Sequence, residues 1–126
     1  MAGTLVASNI NDGTSTGNTT DMIKGSARAW VNFNGVGTVA IRASYNVSSI
    51  TDNGVGDYTV NFSTAMPDAN YSFVGSASGA VSWYGVVSNA LVSNKLSGSL
   101  RILVWTASGA TQYLGDFPGI DIAIFR

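Results

Sequence analysis

The chain has 126 residues, 45% of them apolar and 10% charged, with a formal net charge of −1. That length suits one domain with enough apolar material for a core. The weak net charge and six scattered basic residues give no patch for nucleic acid. Cys, His and Glu are all missing, which removes disulfides, thiolate zinc sites, a catalytic thiol and the usual general base near neutral pH.

In chain order, Met1 to Val6 lacks the basic start and apolar run of a signal peptide. Thr4 to Ile10 has strand character around Leu5 and Val6, and Asn11-Asp12-Gly13 is a turn signal. Thr14 to Asp21 is a polar run that cannot bury enough surface to fold alone. Residues 1–24 therefore read as a polar arm with a short strand. It is either a surface loop or an attachment segment that orders against a neighbouring subunit or particle surface, with Met22 and Ile23 anchoring its far end. Residues 25–126 read as an antiparallel β domain.

Three rows then alternate with a period of two: Ala29, Val31 and Phe33; Val39, Ile41, Ala43, Tyr45 and Val47; Tyr58, Val60 and Phe62. Asn34-Gly35-Val36-Gly37 and Asp52 to Asp57 separate them as hairpin turns. Pairing Phe33 with Val39, Val31 with Ile41, Ala29 with Ala43, Val47 with Tyr58 and Tyr45 with Val60 keeps each apolar residue inside. That register places Trp30 opposite Arg42 on the outer face and predicts a cation–π contact between them, worth about 0.5–1 kcal/mol.

Met66-Pro67-Asp68-Ala69-Asn70 is a turn leading into Tyr71 to Ala77. Ala69 to Asn94 carries no charge for 26 positions, but Ser, Gly and Asn interrupt it throughout. It reads as strands and turns, not as a bilayer span. Leu100 to Trp105 is apolar on both rows except at Arg101, as expected of a strand covered on both sides or by a partner. Phe117-Pro118-Gly119 precedes a last strand from Ile120 to Phe125. Some eight to ten short strands and no convincing helix predict a single all-β domain, an antiparallel β-sandwich or jelly roll. So few charges on such strands predict a symmetric oligomer.

The wording GSARAWVNFNGVGTVAIRASYNVSSITDNGVGDYTVNF, followed by AMPDANYSFVG, resembles a module of tail-fibre and other small virion proteins of bacteriophages, especially phages of aquatic bacteria. The resemblance spans roughly residues 24 to 75. It implies a virion protein made in bacterial cytoplasm and carried on the particle surface, assembled as a homotrimer. About two dozen residues precede the module here, where a long fibre would have a stem, which favours a stand-alone decoration or cement protein bound to the major capsid protein. A tail-fibre tip or adhesin touching a host surface glycan or protein is the alternative, and a free carbohydrate-binding module a third.

Other patterns weigh less. Gly35-x-Gly37-x-x-Ala40 matches the dinucleotide fingerprint as a string, but a strand follows where a helix should start, so no cofactor is expected. Asp52-Asn53-Gly54 with Asp57 lacks the spacing of a calcium loop, and no metal is expected. The seven Asp lie mostly beside turn residues, so no enzyme is expected. Asp121, inside the last strand, is the exception, with Arg126, Arg101 or a neighbouring subunit as its expected partner. The candidate interface or surface-binding residues are Trp30, Arg42, Trp83, Tyr84 and Trp105, with Tyr113 a further outward aromatic.

Overall fold

Period-two alternation shapes most of the chain. The computed structural model describes residues 3–79, 84–89, 91–108 and 111–126. Its strands are β1 (Asn9–Asn11), β2 (Thr16–Asn18), β3 (Ala29–Asn34), β4 (Ala40–Tyr45), β5 (Val47–Gly54), β6 (Asp57–Phe62), β7 (Ser72–Ser78), β8 (Tyr84–Ser88), β9 (Lys95–Leu96), β10 (Ser99–Ser108), β11 (Thr111–Leu114) and β12 (Gly119–Phe125). One helix, α1 (Thr19–Gly25), lies between β2 and β3.

The all-β, antiparallel expectation is borne out. Ten strands form one sheet in the order β4-β3-β12-β7-β8-β10-β6-β5, with β9 and β11 also on β10, and the sheet curls until it is nearly a closed barrel. Strand β10 is ten residues long and serves four neighbours. The registers put β9 and β8 along one side of it and β6 and β11 along the other.

Inside the curl, alternate residues of four strands are buried: Ala29, Val31 and Phe33; Tyr58, Val60 and Phe62; Leu100, Ile102 and Val104; Ile120, Ile122 and Ile124. Opposite walls meet edge to face, with the Phe33 and Tyr58 ring centres 5.3 Å apart and those of Phe62 and Tyr71 5.8 Å apart. Burying each large side chain stabilises by roughly 1.5–3 kcal/mol, so these rows outweigh the exposed ion pairs.

The predicted register of the central meander is wrong: the β3–β4 connection runs from Gly35 to Val39, two residues longer than expected, so Phe33 faces Ile41 and not Val39, and two further local features change the rest. First, β4 carries an irregularity opposite Asn32 and Phe33: Phe33 faces Ile41 and Asn32 faces Ala43, leaving Arg42 as the extra residue. A one-residue bulge flips every side chain beyond it. Ala43 and Tyr45 therefore turn outward, and Tyr45 faces Trp30. Second, Asn46 takes a left-handed φ of 54°. There its side chain donates to the Arg28 and Thr64 carbonyls, and its Oδ1 accepts from the Thr64 amide at 2.7 Å. The chain thus leaves one edge of the sheet at Tyr45 and enters the other edge at Val47. Val47 pairs with Phe62, Ile50 with Val60 and Asp52 with Tyr58, so β5 occupies residues the expectation put partly in a loop.

The amino-terminal segment also differs from expectation. Thr4 to Ser8 makes no strand, and Leu5 and Val6 are almost fully exposed. The Asn11-Asp12-Gly13 turn is present and closes the β1–β2 hairpin. Asp12 Oδ1 accepts from the Thr14 and Ser15 amides, and these bonds hold its carboxyl below the usual range. Asn18 caps α1 by accepting from the Thr20 amide at 2.8 Å. No residue of α1 is buried. Deleting residues 1–24 should therefore leave a barrel that unfolds cooperatively within a few degrees of the full chain, as followed by circular dichroism. Loss of the transition would make the arm part of the folding unit.

Candidate interaction surface

Directly opposed residues on neighbouring strands share a face. Across β4, β3, β12 and β7 the registers set Tyr45, Trp30, Ala123 and Val74 abreast on the outside. Tyr45 is 58% exposed, Trp30 40% and Val74 60%. The next row is Ala43, Asn32, Asp121 and Ser76. Between these rows lies a shallow depression of about 450 Å³ that includes Trp30, Asn32, Val74 and Asp121.

The polar row is tied together. Asn32 Nδ2 donates to Asp121 Oδ1 at 2.6 Å, and Arg42 donates to Asn32 Oδ1 at 3.5 Å and to the Pro118 carbonyl. The Trp30–Arg42 cation–π contact is absent, because the bulge places Tyr45 opposite Trp30. Asp121 is bonded to Asn32 and not to the expected arginines. Arg126 instead pairs with Asp68 at 2.6 Å and Arg101 with Asp57. The hydrogen bonds from these guanidiniums hold both carboxyls below the ordinary aspartate range. Asp52 caps its turn by accepting from the Gly54 amide at 3.0 Å.

Among the described candidates, Trp30, Arg42 and Trp105 do not form one platform. Trp30 faces outward on β3. Trp105 lies four strands away in sheet order, half-buried on the outside of β10, with its Nε1 donating to Ser88 Oγ at 3.0 Å. Arg42 serves the Asn32–Pro118 network. Tyr84 opens β8, its backbone opposite Ser78, and Trp83 lies outside the described residues. Sequence reasoning missed Tyr45 and Val74. The signal for Tyr45 was Asn46, a residue that tolerates positive φ, set inside an otherwise alternating row.

A second apolar surface lies on the amino-terminal segment. Leu5, Val6, Ile10, Met22 and Ile23, all at least half open or nearly so, border a groove of about 500 Å³. Large exposed apolar patches on a folded domain mark contacts with other macromolecules. Among the described residues no three acidic side chains converge to hold a metal ion.

No protein family, no curated protein and no solved structure matches the chain.

Proposed function

We propose that the protein is a non-enzymatic bacteriophage virion protein, a trimeric capsid decoration or cement protein whose partners are its own copies and the major capsid protein. The observation that carries this reading is the outward apolar row of Tyr45, Trp30, Ala123 and Val74 on a sheet whose core is already complete without it. Apolar area in excess of what the fold needs is what an assembly contact requires. Trimer and capsid rest on the resemblance to virion modules. The exposed apolar residues of the arm, Leu5, Val6 and Ile23, support a segment that would bind the shell.

The test is the solution mass by light scattering, followed by mixing with emptied particles and, separately, with host cells. A trimer that binds particles supports the reading. A monomer at tens of micromolar overturns it. Replacing Trp30 and Val74 together with Ser should weaken self-association at least tenfold while moving the unfolding midpoint little, because neither side chain is in the core. Unchanged association would move the contact to another face. A tail-fibre tip binding the host surface is the second reading, favoured by an aromatic and acidic cleft at one end of the barrel.

A further inference from the structure

Two asparagines stand directly before a glycine, Asn34 before Gly35 and Asn53 before Gly54. The side-chain amide carbon of asparagine is a weak electrophile, and the backbone nitrogen of the next residue is placed to close a five-membered ring on it. This makes asparagine one of the thermolabile residues. Glycine hinders the closure least, because it has no Cβ and takes the backbone turns that the ring needs. Local sequence leaves the two positions equally labile, and the fold separates them.

At Asn34 the attacking nitrogen is locked. Gly35 is buried, its amide donates to the Phe117 carbonyl at 2.9 Å, and its carbonyl accepts from the Tyr58 hydroxyl at 3.0 Å. A Cβ added there would come within 2.5 Å of that hydroxyl oxygen and 2.9 Å of Ile120 Cδ1, so the peptide has no room to turn. At Asn53 the backbone is open. The β5–β6 register sets Asp52 opposite Tyr58 and then Gly54 opposite Asp57, which leaves Asn53 as the bulged residue. Asn53 and Gly54 are both exposed, and Gly54 holds φ +136° with open space where a Cβ would stand. The Gly54 amide donates to the Asp52 carboxylate at 3.0 Å, a surface side chain free to rotate away. Asn53 Nδ2 donates to Thr59 Oγ1 at 2.9 Å and to Asp57 Oδ1 at 3.3 Å, surface bonds that water can replace.

We infer that Asn53 is a site of spontaneous modification, converting to aspartate and isoaspartate through a cyclic imide with Gly54. The Gly54 nitrogen gives its proton to hydroxide and bonds to Asn53 Cγ. The Cγ–Nδ2 bond then breaks, and the nitrogen takes a proton from water and leaves as ammonia. Water opens the imide at either carbonyl. Breaking the new N–Cγ bond leaves aspartate on the original backbone; breaking the bond from that nitrogen to the Asn53 backbone carbonyl carbon leaves isoaspartate, with the chain rerouted through the side chain. Either product takes the formal net charge from −1 to −2. It also loses the donations to Thr59 and Asp57 and adds a carboxylate to a hairpin that already carries Asp52 and Asp57, the latter paired with Arg101. Like charges this close repel, so the β5–β6 hairpin changes its charge and its bonding with age in solution. The inference stands apart from the capsid reading and holds for a monomer or an oligomer.

The test incubates the purified full chain at mildly alkaline pH and follows both asparagine peptides by mass spectrometry, with enzymatic methylation of isoaspartate as a second readout. The peptide holding Asn53 should gain the mass of NH2 exchanged for OH with first-order kinetics, faster at higher pH, and at least tenfold faster than the peptide holding Asn34. In the urea-unfolded chain the two rates should converge. Asn53→Gln, whose ring would need six members, should remove the isoaspartate signal from the folded chain. An Asn53 that stays intact in the folded chain while the unfolded chain converts would show that its bonds to Thr59 and Asp57 protect it and would overturn the inference. Equal conversion at Asn34 and Asn53 in the folded chain overturns it too, as does an isoaspartate signal that persists in Asn53→Gln.

Discussion

Gly56→Ala should lower stability by about 3–5 kcal/mol, a large share of the roughly 5–15 kcal/mol typical of a domain. Gly56 sits at φ +64°, and an added Cβ would come within 2.6 Å of the Val104 carbonyl oxygen and 2.7 Å of the Gly115 amide nitrogen. Both neighbours are backbone and cannot rotate away. The same residue accepts from the Val104 amide at 2.7 Å and donates to Asp116, so it is the crossing point of three segments. Gly37→Ala is the matched control, with φ +66° but open space around it, and should cost only about 1 kcal/mol. Urea midpoints with unchanged slopes measure both. Equal losses at the two positions would show that close approach contributes nothing.

Raising the pH from 10 to 12 should remove several kcal/mol more. Burial pushes the Tyr71 hydroxyl up to about 12. Burial, followed by the Asp116 hydrogen bond and charge, pushes Tyr58 higher still. In the unfolded chain both ionise near pH 10. Below that pH the two states bind equal protons here and the stabilisation is complete. Above it the unfolded chain releases protons that the folded barrel retains, so stability falls by about 1.4 kcal/mol per pH unit for each tyrosine until the folded groups ionise. Tyr71 donates to the Leu96 and Ser99 carbonyls; Tyr71→Phe should cost about 1 kcal/mol at pH 7 and roughly halve the alkaline slope. Melting temperatures at unit steps of pH decide the matter, and a flat profile to pH 12 would refute the burial argument.

Legibility in the sequence followed the range of the forces involved. The rows of β3, β6, β10 and β12 were readable because each is a run of alternation that the core enforces along its length. The Arg42 bulge was not, since it depends on how Asn32 and Pro118 capture one guanidinium. Nor was the helix, seven residues long and held at its start by Asn18, with Asp21 in its first turn; that cap was present in the sequence and was read as part of a polar loop. The Asn32–Asp121 bond joins positions 89 apart, and local patterning carries no trace of it. Among the surface candidates, Trp30 was placed outward correctly while Tyr45 was placed inward, because one inserted residue decides the second and not the first.

The single residue between β4 and β5 has a further consequence. A sheet edge invites pairing by any strand that reaches it, and proteins usually deter this with lysine, proline or charge. Here the two edges of the sheet belong to consecutive strands, and Asn46 is their whole connection. That link joins the two edges at one end only, and beyond it they do not pair: all of β4 and most of β5 are exposed. A foreign strand is barred from the closed end of the seam and not from its open end. Covalent proximity thus guards only the Asn46 end of two edges in a chain that is only 10% charged.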